Sequence, residues 1–235
     1  MQRYFSNKIV NNHFVINEDD MYHIKKVMRY KENDKVEIVY ENELYIGLLD
    51  KEGILNKEKI ETTKEKNTYI RICIPLLKET KMDYILQKSC ELGVDEIVPV
   101  LMDRSIIKID GREDKKLIRW MKIVKEASEQ SKRLDIPKIE KIKNITELNY
   151  QGLKLICSTN EKENTIKKVL QKNIEEITFV IGPEGGITDI EEEKLVSIGY
   201  QKITLGNRIM RVETVPLFLL SVINYVNMEW YYDFV

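Results

Sequence analysis

The chain of 235 residues is poor in cysteine and histidine, with three of the first and two of the second. Cys73, Cys90 and Cys157 are widely separated and each lies among apolar residues, so we predict buried thiols rather than a redox or metal-binding role. His13 and His23 are too few and too distant from the other motifs to form a metal site. We therefore expect no metal centre.

Long hydrophobic runs and low-complexity tracts are also missing. The longest apolar stretch near the C-terminus, VPLFLLSVINYV, is well short of the roughly 18 residues that a membrane span requires. The N-terminal sequence MQRYFSNKIV has no apolar segment of the kind found in signal peptides. With 43% hydrophobic and 33% charged residues, the composition is typical of a globular protein, for which we expect a cytoplasmic location and no membrane contact.

No strong excess of either charge is present, since the formal net charge is −1. This value argues against a protein that binds nucleic acids non-specifically through a large positive charge. A net value, however, hides how the charges are distributed along the chain. Residues 104–143 carry 13 basic and 7 acidic side chains, and this segment is where a phosphate backbone would bind most favourably. The alternative interpretation is a solvated helical face.

The first 70 residues have the pattern of a compact, mostly β module. The runs KVEIVY and LYIGLL, joined by ENE, predict a hairpin. Before them, DMYHIKKVMRY has apolar residues at helical spacing, with Asp19 or Asp20 available as the N-cap. A domain boundary is predicted near residue 70.

From YIRICIPLLK at residue 69 onward the pattern alternates between strands and helices. Apolar strands are predicted at residues 69–76 and over EIVPVL, LKLICS, ITFVIG and KITLG. Helices are predicted over MDYILQKSCELG, DKKLIRWMKIVKEASEQSKR, NTIKKVLQK, DIEEEKLVSIG and TVPLFLLSVINYV. This alternation predicts an α/β domain with a parallel sheet.

The segment IGPEGGITDIEEE predicts a glycine turn between a strand and a helix, where open α/β sheets usually bind ligands. Thr188 and Glu191 have the spacing of a capping box. Glu184 lies inside the loop, and neither GxGxxG nor GxxxxGK[ST] is present, so a phosphate ligand is disfavoured. S-adenosylmethionine, which has a cationic sulfonium and no phosphate, suits this loop; a purely structural turn is the alternative.

A second glycine turn follows in LGNRIMRVET at residues 205–214, again between a strand and a helix. Two such turns at the same end of one sheet would lie near each other and form one pocket.

Several ordered segments resemble the signatures of the RsmE family, the 16S ribosomal RNA (uracil-N3) methyltransferases of the SPOUT superfamily. These segments are IGPEGG, LGNRIMRVET, LQKSCELGVDEIVPVLMDRS and KEASEQSKR, and the N-terminal RYF and HIKKVMRYKENDKV match the family's PUA-like RNA-binding domain. The departures are modest, since Met210 replaces the more usual leucine and VP at 215–216 follows the ET pair where small residues are common.

The resemblance implies a PUA-like domain over residues 1–70 and a SPOUT methyltransferase domain with a deep trefoil knot over residues 71–235. It implies S-adenosylmethionine as cofactor, a homodimer, and methylation of uridine N3 in 16S ribosomal RNA or the small ribosomal subunit. A SPOUT enzyme acting on another RNA position, or a non-catalytic RNA-binding or ribosome-assembly factor, remains as an alternative.

Matching the motifs residue by residue assigns two walls of a cofactor pocket: Gly182, Glu184, Gly185 and Gly186 in the first turn, and Leu205, Gly206, Ile209 and Met210 in the second.

The resemblance also assigns the substrate side. Arg211 beside the pocket is a predicted catalytic residue, with a structural salt bridge to Glu213 as the alternative. On the long helix, the pattern places Glu129 and Arg133 at i, i+4 on one face, and likewise Glu126 and Gln130 on another. The predicted substrate-side residues, for which solvated helical pairs are the alternative, are Glu129 as catalytic and Gln130 and Arg133 as RNA-binding. Arg104 and Ser105, at a strand's end, are further predicted RNA contacts.

The expected reaction requires alignment of the uridine with the methyl donor and removal of one proton from the uridine. The methyl group of a sulfonium is already electrophilic, so N3 of the uridine must be placed in line with it and lose its proton. Because N3 lies on the Watson–Crick edge, the base must be unpaired. No histidine occurs in the motifs, and the sequence does not identify which carboxylate, if any, accepts the proton.

Overall fold

The structure, a computed structural model, describes residues 1–62, 68–109, 111–170 and 174–227. The chain divides into two compact units, residues 1–65 with 125–136 (the N-terminal unit) and residues 66–124 with 137–235 (the C-terminal unit). The sequence pattern did not indicate that residues 125–136 belong with the N-terminal unit.

The N-terminal unit contains one six-stranded sheet of order β1-β4-β5-β6-β3-β2. Its strands are β1 Arg3–Phe5, β2 Ile9–Val10, β3 His13–Phe14, β4 Lys35–Tyr40, β5 Glu43–Leu49 and β6 Ile54–Ile60. β1 pairs with β4 in parallel, and the remaining pairs are antiparallel. The expected mostly-β module is confirmed.

The predicted hairpin is formed by β4 and β5. Its turn consists of Glu41 and Asn42, whose φ angles are +52° and +59°. Two consecutive residues with positive φ match the right-handed twist of a hairpin, and asparagine tolerates this conformation better than most residues.

The helix before the hairpin has a different cap from the one predicted. Helix α1 spans Glu18–Tyr22 and continues as a π-helix over His23–Val27. Its N-cap is Asn17, whose Oδ1 accepts a hydrogen bond of 2.8 Å from the Asp20 backbone N–H. The prediction of Asp19 or Asp20 as cap is wrong because both residues lie inside the first helical turn.

The C-terminal unit contains a seven-stranded sheet of order β10-β8-β7-β12-β11-β13, with β9 paired to β8. Its strands are β7 Tyr69–Pro75, β8 Glu96–Leu101, β9 Lys138–Ile139, β10 Lys143–Asn144, β11 Leu153–Cys157, β12 Glu176–Ile181 and β13 Gln201–Ile203. Every pair is parallel, so all the strands end at the same edge. The expected parallel α/β domain is confirmed.

The helices alternate with these strands as predicted, although four of them end two or three residues earlier than expected. They are α2 Glu79–Glu91, α3 Glu113–Gln130, α4 Ile166–Val169, α5 Asp189–Ser197 and α6 Val215–Asn227, with a 3₁₀ turn at Ile145–Glu147. Helix α3 stops before Lys132, whose φ is +63°. Part of the predicted helix NTIKKVLQK, at residues 171–173, lies outside the described residues.

The central strands of the parallel sheet are buried and hold a polar cluster. The Arg71 guanidinium on β7 binds Glu96 of β8 at 2.6 Å, Glu176 of β12 at 2.5 Å and the Thr178 hydroxyl of β12 at 3.0 Å. Because Arg71 is 8% exposed and Glu96 3%, this cluster fixes three neighbouring strands from inside the protein.

The predicted state of the cysteines is confirmed for two of them. Cys73 and Cys90 are buried, Cys157 is half-buried, and none of the three forms a disulfide in the part of the chain described. In the same part, no helix is both long and apolar enough to cross a membrane.

Candidate functional site

The loop after β12 makes a tight turn that depends on glycine. The Gly186 backbone N–H donates to the Pro183 carbonyl at 2.8 Å, and Gly186 has φ of +76°. A Cβ on Gly182 would lie 2.7 Å from Ile187 Cγ1, which leaves no room for one. At Gly185 the limit is a neighbouring segment, because a Cβ there would lie 3.2 Å from Arg104 Cβ. The loop is therefore folded on itself and also closely packed against the segment after β8.

Two hydrogen bonds fix this packing. Arg104 Nη1 donates to the Gly185 carbonyl at 2.9 Å, and the Asp103 backbone N–H donates to Glu191 Oε1 at 2.8 Å. The other Glu191 oxygen accepts from the Thr188 N–H and hydroxyl at 2.9 Å each, which confirms the capping box. The structure thus places Arg104 against the first glycine turn, and its predicted contact with RNA stays a prediction.

Lys81 on α2 joins the two glycine-containing loops. Its Nζ lies 2.7 Å from Glu184 Oε1 in the first loop and 3.2 Å from Glu213 Oε2 in the second. The hydrogen bond from Lys81 lowers the pKa of Glu184, so this carboxylate is ionised at neutral pH. Sequence reasoning missed Lys81, because it lies 103 residues from Glu184 and belongs to no recognisable motif.

The second loop, between β13 and α6, also depends on a glycine conformation. Gly206 has φ of +115°, and its N–H donates to the Thr204 hydroxyl at 3.3 Å. Leu205 and Met210 are half-buried against the core of the C-terminal unit. Ile209 is 87% exposed, so in this structure its side chain forms no packed wall. The predicted cofactor contacts of these residues stay predictions.

Arg211 lies in the same loop with an exposed side chain. Its carbonyl accepts from the Thr214 N–H at 2.9 Å and from the Val215 N–H at 3.3 Å, which starts α6. Glu213, the alternative salt-bridge partner, is paired with Lys81 instead. Within the described residues the structure therefore offers no support for the Arg211–Glu213 salt bridge.

Glu129 lies in the N-terminal unit and is 6% exposed. Its Oε1 is 2.6 Å from Lys125 Nζ, which also binds the Asp20 carboxylate at 2.7 Å. Burial raises the pKa of Glu129 to about 7, although the hydrogen bond from Lys125 opposes the shift. A carboxyl group with this pKa exchanges a proton near neutral pH.

The predicted helical face of Glu129 and Arg133 is wrong. Because α3 ends at Gln130, Arg133 lies beyond the helix, where its guanidinium binds the Asp135 carboxylate at 2.7 Å and 3.1 Å. Gln130 is exposed at the last helical position. The RNA contacts predicted for Gln130 and Arg133 therefore no longer rest on helical spacing, and they stay predictions.

Ser105, the other residue predicted at the end of β8, is 3% exposed. Its hydroxyl has no hydrogen-bond partner among the residues that the structure describes. Ser105 thus has a buried polar atom next in sequence to Arg104. The RNA contact predicted for Ser105 stays a prediction. Across the described ranges, no three His, Cys, Asp or Glu side chains are grouped so that they could hold a metal ion.

Comparison with known proteins shows to which protein family the chain with these two loops belongs. Residues 64–224 match the model of the RNA methyltransferase domain. Over 229 residues the chain is 35% identical to the ribosomal RNA small subunit methyltransferase E of Mesomycoplasma hyopneumoniae, with 94% of this chain and 98% of the relative covered. The chain belongs to the ribosomal RNA small subunit methyltransferase E family.

Two further comparisons agree with this family. The Bacillus subtilis ribosomal RNA small subunit methyltransferase E is 32% identical over 230 residues, which cover 90% of each chain. The crystal structure of the Neisseria gonorrhoeae ribosomal RNA small subunit methyltransferase E bound to S-adenosyl methionine is 29% identical, with a TM-score of 0.83 and coverage of 96% of this chain and 97% of that one. The match to ribosomal RNA small subunit methyltransferase E thus extends over both units and over the residues that form the site.

Proposed function

We propose that this protein transfers the methyl group of S-adenosylmethionine to N3 of a uridine in 16S ribosomal RNA of the small subunit. The observation that carries the proposal is the meeting of the two glycine-containing loops at Lys81, at the edge where the parallel strands end. Ligands of open α/β sheets bind at this edge. The relatives' activity and the cofactor named for the Neisseria gonorrhoeae structure support the choice of reaction.

The charges where the loops meet fit this cofactor. The Lys81 ammonium binds the carboxylates of Glu184 and Glu213, and Glu184 is ionised. An ionised carboxylate inside the loop suits a cationic sulfonium better than a phosphate. At Gly206 an added Cβ would meet nothing within 4 Å, so a ligand can approach the backbone closely there. When bound, S-adenosylmethionine supplies an electrophilic methyl group.

The protein's own residues then align the uridine and stabilise the charge that forms. Arg211 offers a fixed positive charge and a planar set of donors for the negative charge that develops as N3 loses its proton. The resemblance to the family makes Glu129 the second proposed catalytic residue, and a pKa of about 7 suits proton transfer at neutral pH. Arg104, Ser105, Gln130 and Arg133 are proposed RNA contacts.

The reaction is tested by incubating small-subunit particles and 16S ribosomal RNA with labelled S-adenosylmethionine. An N3-methyl group blocks base pairing, so we expect incorporated label together with one new reverse-transcription stop at a uridine. Label without such a stop would mean a different atom or position. Absence of label would leave the alternative of an RNA-binding or assembly factor without turnover.

The cofactor loops are tested by a matched pair of glycine substitutions. Gly206 (φ +115°) and Gly53 (φ +152°) both have positive φ, and an added Cβ would meet nothing within 4 Å at either site. Valine at Gly206 should strain the loop by about 1–3 kcal/mol and weaken S-adenosylmethionine binding about tenfold or more. Gly53→Val carries a similar strain in the N-terminal unit and should leave the affinity unchanged. Isothermal titration calorimetry measures both, and equal affinities in the two variants would contradict the proposed loop.

We also propose that the protein is a homodimer. Helix α6 packs on α2, where Asn224 Nδ2 donates to the Leu92 carbonyl at 2.9 Å, and each helix keeps an exposed tyrosine: Tyr84 at 44% and Tyr225 at 64%. Exposed aromatic side chains on adjacent helices favour a self-complementary interface. Light scattering at micromolar concentration should give about twice the chain mass of 27.8 kDa, and a mass of one chain would exclude the dimer.

Family membership is the support for the remaining proposals. These are a PUA-like RNA-binding domain over residues 1–70, a SPOUT methyltransferase domain with a trefoil knot over residues 71–235, and a cytoplasmic location.

A further inference from the structure

A groove in the C-terminal unit lies between the start of α2 and the first turns of α3. It has a volume of about 320 Å³ and is lined by the segment that follows β7, by Ile107 and by the side chains of α3 up to Trp120. Leu76, Met82 and Trp120 are buried at its floor, with exposed fractions of 3%, 1% and 5%. The groove is therefore apolar at its base.

The rim of this groove is basic. Five cationic side chains and a single carboxylate, Glu79, line it, and the cations are Lys78, Arg112, Lys115, Lys116 and Arg119. Arg119 is paired with Asp83. Lys78 and Lys115 are exposed, and neither forms an ion pair with any residue in the described ranges. Four of the five cations belong to the basic stretch at residues 104–143.

The groove is next to the proposed active site. Lys78 immediately follows the loop after β7, and β7 is the hydrogen-bonded neighbour of β12, which carries the first glycine turn. The charge of Lys78 reaches that turn, since it assists the Lys81 hydrogen bond in lowering the pKa of Glu184. Whatever occupies the groove therefore lies beside the loop where we place the cofactor.

We propose that the groove binds an unpaired nucleotide of the RNA strand next to the methylated uridine. This inference rests on the proposed function. Because N3 reacts only when the base is unpaired, the adjacent strand is locally single and exposes the faces of its bases. Proteins bind such strands with cations along the phosphates and apolar or aromatic surface under the bases. The apolar floor of the groove matches the base of a nucleotide, and the cationic rim matches its phosphate.

The experiment compares two double variants of the full chain with the same change in charge. Lys78→Ala/Lys115→Ala removes two cations from the groove. The control, Lys167→Ala/Lys194→Ala, removes two exposed lysines from α4 and α5, which do not line it. The probe is a transcript of 16S ribosomal RNA, and filter binding is measured over a series of salt concentrations.

We expect the groove variant to bind the transcript about tenfold more weakly at about 0.1 M salt. The plot of log affinity against log salt should become less steep, with a slope smaller in magnitude by about 1.4, because each single-strand phosphate contact contributes about 0.7. Affinity for S-adenosylmethionine should stay close to that of the wild type, because the Lys81 hydrogen bond to Glu184 remains, and the molecular mass should be unchanged. The control variant should keep the wild-type slope.

Three results would overturn the proposal. An unchanged slope in the groove variant means that no phosphate binds there. A loss of S-adenosylmethionine affinity assigns the groove to the cofactor site, and a change of mass with an unchanged slope assigns it to an interface between two copies. RNA binding is measured without turnover, so the two proposals fail separately. A wild type that binds RNA but transfers no methyl group would refute the proposed function. The groove proposal would then still be decided by the salt dependence of RNA binding in the groove variant.

Discussion

Replacing Arg211 by alanine is expected to lower the rate of methyl transfer about a hundredfold or more, which is the scale of losing one preorganised electrostatic contact. The Arg211 side chain is exposed, and the residue contributes to the fold through its backbone carbonyl, which accepts the hydrogen bonds that start α6. Alanine keeps that carbonyl. Folding, dimerisation and S-adenosylmethionine affinity should therefore stay close to those of the wild type.

Single-turnover methyl transfer, measured together with a melting curve, tests this expectation. Arg211→Lys should recover only part of the rate, because a point charge lacks the planar set of donors. Arg208→Ala is the matched control, since it removes an equally charged and exposed side chain from the same loop. Equal losses in Arg208→Ala would indicate a general effect of loop charge. A melting temperature that falls while the rate per folded molecule stays normal would restore the structural interpretation of Arg211.

Replacing Arg71 by methionine should destabilise the protein by about 3–5 kcal/mol, the cost of leaving a buried charge without its partner. Glu96 is 3% exposed, and after the change its carboxylate would keep the Tyr69 hydroxyl at 3.1 Å and the more distant Lys138 ammonium at 3.7 Å but would lose the guanidinium at 2.6 Å. A chain of this size loses about 2–4 °C of melting temperature per kcal/mol, so a fall of at least about 6 °C is expected.

Removing both charges provides the control for Arg71. In Arg71→Met/Glu96→Met no buried charge is stranded on β8, and Glu176 can turn to water because 29% of its side chain is exposed. Chemical denaturation should show that the double variant recovers most of the lost stability. A double variant that is no more stable than Arg71→Met would mean that the hydrogen bonds to β12, rather than the charge balance, hold the strands.

The parts of this fold that could be predicted from the sequence are those that depend on local pattern. The alternation of apolar strands and helices predicted the parallel sheet, and the spacing of Thr188 and Glu191 predicted the capping box. The cap of α1 was predicted wrongly because Asn17, Asp19 and Asp20 all have suitable side chains, and only the backbone shows which residue precedes the first turn.

The parts that could not be predicted depend on contacts between distant residues. Lys81 binds two carboxylates that follow it by more than a hundred residues, and the strand order β7-β12-β11-β13 brings the loops that carry them to the same edge of the sheet. The partner of Glu129 was missed for another reason. The spacing i, i+4 allows Lys125 as well as Arg133, and the helix end at Gln130 decides between them.

The assignment of residues 125–136 to the N-terminal unit affects how that unit forms during synthesis. The Arg3 guanidinium is almost buried and donates to the carbonyls of Lys132 and Arg133, the latter at 3.1 Å. A ribosome releases the first strand long before it makes these acceptors. The N-terminal unit is therefore expected to stay incomplete until residue 136 has emerged, and a fragment cut near residue 70 would lack part of its own interior.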